Sequence, residues 1–330
     1  MRDTLRSVGI IGTGSYVPPR VLTNQDLEKM VDTSDEWIRT RTGILERRIA
    51  DEHTATSDLA VQAAQAALRS AGVKAKEIDL ILVATVTPDM GFPCTASILQ
   101  GALGCHRPAA FDVLVGCTGF VYGLAIASSL VGAGAYERAL VIGAETLSKI
   151  TNWKDRSTCV LFGDGAGAAV LGPVEKGRGI LAYSFGNDAS HADALKVPAG
   201  GSRLPTSAQT VADELHYLYM VGSEVFKFAV RAMVDSSLLA LEKAGLSLSD
   251  IDVLVPHQAN QRIIDAAAKR LNIPPERIFR NLQHYGNTSA ASIPIALDEG
   301  LRDGLVKAGD TVLLSSFGAG LSWASMVLRW

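Results

Sequence analysis

The sequence predicts an α/β protein made of two similar halves, and three observations carry the prediction. First, Ala67-Leu-Arg-Ser-Ala-Gly-Val-Lys-Ala-Lys-Glu-Ile-Asp79, followed by the apolar run Leu80–Val83, is echoed by Ala240-Leu-Glu-Lys-Ala-Gly-Leu-Ser-Leu-Ser-Asp-Ile-Asp252, followed by Val253–Val255. Each copy reads as a helix closed by a glycine (Gly72, Gly245), a short loop and a buried strand. Second, Thr158–Phe162 running into Gly165-Ala-Gly167 is echoed by Thr311–Phe317 running into Gly318-Ala-Gly320. Both are expected to be a strand, a glycine turn and a second strand (168–171 and 324–328). Third, the echoes come in the same order, which favours duplication with a boundary between Gly172 and Gly177, giving halves of 1–174 and 175–330.

The remaining elements follow from periodicity. Thr54–Ala71, with Leu59, Val61, Ala64 and Leu68 on one stripe, reads as a helix, and so does Val225–Leu241. Asn260–Leu271 is a third, with Ile263, Ile264, Ala267 and Leu271 inward and Arg262 and Lys269 on the solvated side. The Pro/Gly/Ser-rich segment 197–208 is expected to be a surface loop. Gly12-Thr-Gly14 tempts a dinucleotide-site reading, but the third glycine is missing and Pro18-Pro19 forbids the helix that would follow.

Composition narrows the function. The 330 residues carry 48% hydrophobic and 20% charged side chains and a net charge of −3, which excludes global disorder and argues against nucleic-acid binding. No charge occurs from Val113 to Tyr136, a length that could span a bilayer. Five interspersed glycines, Thr118, Ser128 and Ser129 favour a buried strand–turn–helix instead. The start, Met1–Ser7, carries an acid and lacks a long apolar run, so it does not read as a signal peptide, and a cytoplasmic protein is expected. The four cysteines (94, 105, 117, 159) show no metal-ligand spacing, and no metal site is expected.

Four segments carry candidate chemistry. In Val113-Leu-Val-Gly-Cys-Thr-Gly-Phe120 a strand enters a glycine-flanked turn, so Cys117 stands at a helix N-terminus, where free amides and the helix dipole favour a thiolate. The other reading of Cys117 is a packed core cysteine. Val253–Pro256 places His257 just beyond a buried strand and before a helix, the usual place for α/β sites. His284-Tyr-Gly-Asn-Thr-Ser-Ala-Ala-Ser292 is a polar turn that offers Asn287 as an uncharged donor, or as a helix cap. Ser316-Phe-Gly-Ala-Gly320 has the pattern of a backbone nest able to hold an oxyanion.

These segments together with Asp35-Glu-Trp-Ile-Arg-Thr-Arg-Thr-Gly43 and Phe162-Gly-Asp-Gly-Ala-Gly-Ala168 resemble the β-ketoacyl-acyl-carrier-protein synthase III family of the thiolase superfamily, and the likeness runs from Ile10 to Trp330. The resemblance implies a duplicated thiolase-like α-β-α-β-α layered sandwich, built as a homodimer. It implies an acyltransferase of fatty acid biosynthesis: an acyl-CoA acylates Cys117, and malonyl-acyl-carrier protein then condenses with the acyl-enzyme, losing CO2. His257 and Asn287 would stabilise the enolate, and the amides of Cys117 and Ala319 would form the oxyanion hole. Thr33, Trp37, Arg41 and Arg156 would hold CoA, with Trp37 and Arg41 on one face of a helix opened by a Thr33-Ser-Asp-Glu36 capping box. Phe92 would line the acyl pocket. Gln258, Ala259, Asn260, Gln261, Arg262, Lys269 and Arg270 would meet the acidic carrier protein. Acyl-CoA is a substrate here, and no cofactor is implied. A related condensing enzyme of polyketide or quinolone metabolism, a non-catalytic relative and a Cys-His-Asn hydrolase are the other readings.

Overall fold

The computed structural model describes residues 5–330; the expectation about the N-terminus rests in part on residues 1–4, which lie outside them. In chain order, β1 (Val8–Tyr16) leads to a small ribbon, β2 (Val21–Thr23) with β3 (Glu46–Arg48), which encloses α1 (Asn24–Glu28) and α2 (Asp35–Thr42). Then come α3 (Thr56–Ala71), β4 (Leu80–Ala84), α4 (Thr95–Leu103), β5 (Ala109–Val113), α5 (Gly119–Gly132), β6 (Ala139–Thr146), α6 (Arg156–Cys159) and β7 (Asp164–Pro173). The second part contains β8 (Gly179–Asn187), β9 (Leu195–Lys196), α7 (Ala208–Ala212), β10 (Tyr219–Met220), α8 (Gly222–Ala244) and β11 (Val253–Pro256). It closes with α9 (Gln261–Arg270), α10 (Leu282–Tyr285), α11 (Ser292–Arg302), β12 (Thr311–Gly318) and β13 (Ser322–Arg329).

Two sheets form, in the orders β1-β7-β6-β4-β5 and β11-β12-β13-β8. Read from opposite ends they match strand for strand, β1 with β8, β7 with β13, β6 with β12 and β4 with β11, and β5 is added at one edge. Helix α3 packs outside the first sheet and α8 outside the second, while α5 and α11 lie between them. The result is the five-layer α-β-α-β-α sandwich. Strand side chains alternate accordingly. Leu80 and Leu82 of β4 point into the central layer with Phe120 and Leu124 of α5, and Ile81 and Val83 point outward to Leu59 and Ala63 of α3. Because α5 is covered on both sides, it has no polar face. That explains the uncharged run 113–136, and among the described residues no helix is long and apolar enough to cross a membrane.

Three expectations fail locally. Thr158–Phe162 is not a strand: Asp155 accepts hydrogen bonds from the amide of Ser157 and the hydroxyl of Thr158, and so caps the short helix α6. Gly165-Ala-Gly167 is not a turn either but lies within β7. These residues are small because α11 presses on them; a Cβ at Gly167 would lie 2.7 Å from the amide nitrogen of Ile295. The counterpart of β12 is therefore β6. The expected strand through Val115 also stops early, at Val113, leaving Leu114 70% exposed. The 197–208 segment is a largely exposed loop between the β9 and β10 strands, and its last residue begins α7.

Candidate active site

Cys117 lies in a 3₁₀ turn, Gly116–Thr118, that joins directly to α5. Its backbone is held against the nest after β12 by two glycines. A Cβ at Gly116 would come within 2.9 Å of the amide nitrogen of Ala319, and a Cβ at Gly318 within 2.7 Å of that of Cys117. Any side chain at either place would force the two amides apart, so these glycines are what brings them together. Gly116 also has a left-handed φ of 60°.

His257 extends β11, its amide donating to the carbonyl of Ser315 at 2.8 Å, and its ring is fully buried edge-on to Phe317. Nδ1 stands 2.6 Å from the hydroxyl of Ser292, which in turn accepts from the amide of Gln258 at 3.4 Å. The hydroxyl can donate to Nδ1 while it accepts from Gln258, and in that arrangement the neutral imidazole carries its proton on Nε2. Among the described residues Nε2 has no hydrogen-bond partner. Burial pushes the imidazole pKa down to about 3, so the ring stays neutral near pH 7.

Asn287 follows α10 and is 8% exposed. Its Oδ1 accepts from the amide of Ser289 at 2.8 Å, which leaves its NH₂ group as the free end. Ser289 begins the 3₁₀ turn Ser289–Ala291 with a left-handed φ of 48°, a conformation that costs a non-glycine residue roughly 1–3 kcal/mol. Its hydroxyl faces both the Cys117 thiol and the carboxyl of Glu145, and lowers the pKa of each. The short segment 287–292 thus ties the cysteine, the asparagine and, through Ser292, the histidine into one site. A Cβ at Gly143 would lie 2.1 Å from the carbonyl oxygen of Ala290, so β6 has to carry a glycine where this segment crosses it.

Burial raises the Cys117 thiol to about 12, and the charge of Glu145 pushes in the same direction against the Ser289 hydrogen bond. Burial thus works against the thiolate that the amides at the helix N-terminus favour. Glu145, which the sequence did not single out, is fully buried and raised to about 7, first by desolvation. Its Oε2 accepts from the hydroxyl of Thr87 (2.7 Å), the amide of Val86 (3.1 Å) and the hydroxyl of Thr85 (3.2 Å).

The other expected contacts divide. Ser34, not Thr33, caps α2, its hydroxyl accepting from the amide of Trp37; the Thr33 hydroxyl is buried. The Arg156 guanidinium sits 5.1 Å from the centre of the Trp37 ring and donates to the carbonyl of Asp32, with Arg41 exposed one turn along α2. Phe92 is 88% exposed. Gln258 is 1% exposed, donating to the carbonyls of Pro256 and Phe279 and accepting from the amide of Asn281, so it cannot meet a carrier protein and is corrected to a structural clamp. Ala259 is corrected likewise, packed under α8. Asn260 caps α9 and donates to the carbonyl of Arg41; Gln261 packs on Gly43, while Arg262, Lys269 and Arg270 are exposed. Among the described residues no three His, Cys, Asp or Glu side chains are grouped as a metal site.

Layering and site together define a condensing enzyme of the thiolase fold. The description 3-oxoacyl-[acyl-carrier-protein] synthase III matches residues 111–189, and that of its C-terminal part residues 241–330. The chain is 60% identical over 324 residues to a β-ketoacyl-[acyl-carrier-protein] synthase III of Caldanaerobacter subterraneus, covering 98% of both chains. It is 60% identical over 326 residues to that of Symbiobacterium thermophilum, covering 99% of both. The crystal structure of the Thermus thermophilus synthase III superposes with a TM-score of 0.92 at 52% identity, over 98% of this chain and 99% of that one. The chain belongs to the β-ketoacyl-[acyl-carrier-protein] synthase III family.

Proposed function

We infer that the protein is the initiating condensing enzyme of type II fatty acid synthesis, an acyltransferase that joins a short acyl primer to malonyl-acyl-carrier protein. The observation that carries this is near-full-length identity of 60% to synthases III together with an intact Cys117, His257 and Asn287 gathered on segment 287–292. The same identity favours fatty acid synthesis over the polyketide or quinolone reading.

In this reading an acyl-CoA transfers its acyl group to Cys117 and CoA leaves. The amides of Cys117 and Ala319 hold the oxyanion of that step. Malonyl-acyl-carrier protein then binds, loses CO2, and its enolate attacks the acyl thioester to give 3-oxoacyl-acyl-carrier protein. Nε2–H of His257 and the NH₂ of Asn287 are two neutral donors for the enolate oxygen. Neutrality matters, because a cationic imidazolium would protonate the carbanion carbon and waste the decarboxylation.

Trp37, Arg41 and Arg156 would take the CoA nucleotide at the mouth of the site. A base sandwiched between Trp37 and Arg156 requires the guanidinium to swing outward from its present contact. The exposed face of Arg262, Lys269 and Arg270 suits an acidic carrier protein. The open edge of β5 displays Phe111 and Leu114, with Met90 and Phe92 also exposed. An unpaired edge with that much apolar surface fits a homodimer, in which Phe92 would reach the partner's acyl pocket. The reading keeps halves of 1–174 and 175–330, supported by the separation of the two sheets, and places the enzyme in the cytoplasm with its CoA and carrier-protein substrates.

The test is incubation with acetyl-CoA followed by peptide mass spectrometry and then addition of malonyl-carrier protein. An acetyl adduct of about 42 daltons on the Cys117 peptide, converted to a four-carbon carrier-protein product with CO2, supports the reading. An adduct on Cys94, Cys105 or Cys159, or release of free acetate alone, would refute it.

A further inference from the structure

Among the described residues Arg47 of β3 is the one fully buried cation, and the condensation scheme gives it nothing to do. Burial lowers its pKa to about 10, so the guanidinium is still charged at neutral pH. A buried charge ordinarily faces an opposite one. Here, among the described residues, every hydrogen bond goes to a neutral oxygen. Nη1 donates to the carbonyl of Leu22 at 3.2 Å and to Oδ1 of Asn24 at 2.9 Å, and Nη2 donates to the carbonyl of Val160 at 2.9 Å.

These acceptors belong to two separate parts of the chain. Leu22 and Asn24 lie in the cap formed by β2, α1, α2 and β3, whereas Val160 is the residue that ends α6. Asn24, itself buried, carries the link further: its Nδ2 donates to Oδ1 of Asp35 at 2.9 Å and to the carbonyl of Ile44 at 2.8 Å. Asp35 is the first residue of α2, and Ile44 follows the glycine that caps its end. Both ends of α2 are therefore tied to Asn24, Asn24 to Arg47, and Arg47 to α6. Trp37 stands on α2 and Arg156 is the first residue of α6. The guanidinium fork thus joins, from below, the two walls that carry the groups assigned to the CoA base.

At the surface Arg156 joins the same walls, 5.1 Å from the centre of the Trp37 ring and donating to the carbonyl of Asp32 at 2.7 Å. A base stacked between the two side chains needs two van der Waals contacts of about 3.5 Å each, ~7 Å in all. The surface contact has to open as the base enters, and the buried link then keeps the walls in place. Arginine suits that task, because its planar fork donates in several fixed directions at once.

We propose that Arg47 is a positioning residue for the CoA nucleotide: by bridging Asn24 and Val160 it holds α2 and α6 at the separation at which a base stacks between Trp37 and Arg156. This deepens the proposed function and rests on its assignment of those two side chains to the nucleotide.

The experiment compares acetyl transfer to Cys117 from acetyl-CoA with transfer from S-acetyl-N-acetylcysteamine, which has the same reacting thioester and no nucleotide. Arg47→Met keeps an unbranched side chain but removes every donor. It raises the half-saturating concentration of acetyl-CoA by about tenfold, equivalent to ~1.4 kcal/mol. The maximal rate stays nearly unchanged, as for a loss of uniform binding, and so does transfer from the short thioester. An arginine needed only for folding would on removal loosen the whole site and slow both donors alike. That outcome overturns the proposal, and so does an acetyl-CoA curve identical to that of the wild type. Should Arg47→Met fail to fold, Asp35→Ala decides at the half-buried end of the same link. A rise confined to the acetyl-CoA constant supports the bridge, and an equal effect or none on the two donors overturns it. Trp37→Ala separates this result from the assignment beneath it. If that variant leaves acetyl-CoA saturation unchanged, the nucleotide is not held there, and the CoA site falls together with the proposal. If it raises the constant while Arg47→Met does not, the CoA site stands and only the role of Arg47 falls.

Discussion

Nδ1 of His257 lies 2.6 Å from the hydroxyl of Ser292, a contact that couples the orientation of that hydroxyl to the imidazole tautomer. Ser292 is the first residue of α11, so the central helix layer supplies the polar partner of a ring mounted at the end of a strand in the second sheet. The same hydroxyl accepts from the amide of Gln258, and its own proton is available to Nδ1.

Ser292→Ala removes the hydroxyl that can donate to Nδ1 and so favour the proton on Nε2. The ring can then present a lone pair where the enolate needs a donor. Decarboxylation of the malonyl thioester is expected to fall by up to ~10²-fold, at the lower end of the loss of an oxyanion donor. Acetyl transfer to Cys117 should hold. Burying Nδ1 without its partner should also cost about 1–3 kcal/mol of stability, read as a lower denaturant midpoint. Unchanged CO2 release in a folded variant would mean that Ser292 is merely a packing residue.

Two buried titratable groups pull the pH dependence of stability in opposite directions. His257 has a folded pKa lowered from 6.5 to about 3, so between those values the unfolded chain binds the extra proton and stability falls as the pH is lowered. Glu145 is raised from 4.5 to about 7, so over that interval the folded chain binds the extra proton and stability falls as the pH is raised. Each fully titrating proton contributes a slope of ~1.4 kcal/mol per pH unit. Between pH 4.5 and 6.5 the two slopes oppose each other. His257→Gln should therefore make unfolding free energy rise on acidification relative to the wild type in that window, and Glu145→Gln should make it fall. Urea titrations at several pH values check the signs; parallel curves for the two variants would contradict the assignment.

Much of this site was legible before any coordinates, because the reacting groups sit where short-range chemistry announces them. Gly116-Cys-Thr-Gly119 needs its glycines for backbone approach, and Pro256-His257 follows a strand of unbroken apolar residues. Glu145 was not legible. An acid after Val141-Ile-Gly-Ala reads as the solvated end of a strand, and its burial depends on Thr85 and Thr87, which arrive from a turn some sixty residues earlier. The glycines of 165–167 misled for the same reason. Locally they signal a turn, whereas here they are a flat strand surface for α11, a helix more than a hundred residues away. Gln258 was assigned to the surface by its neighbours on α9, yet its amide spends all its hydrogen bonds on backbone groups beneath the helix.

The exposed face of α9 gives the last prediction. Arg262, Lys269 and Arg270 project from it into solvent, on a chain whose net charge is −3, and the Arg262 guanidinium lies 5.5 Å from the ring of Phe226. Asp265 on the same helix is already paired with Arg280. A local cation cluster on an acidic protein steers an acidic partner mainly through association rate, and salt screens it. Arg262→Glu should therefore raise the Michaelis constant for malonyl-carrier protein by about tenfold or more, each ~1.4 kcal/mol of lost interaction giving that factor. Acetyl transfer from acetyl-CoA should change little, because its nucleotide is assigned to Trp37, Arg41 and Arg156. Added salt should weaken the wild type toward the variant and leave the variant nearly unaffected. Should Arg262→Glu slow acetyl-CoA turnover as much as carrier-protein turnover, its contact with Phe226 is structural, and the carrier protein docks elsewhere.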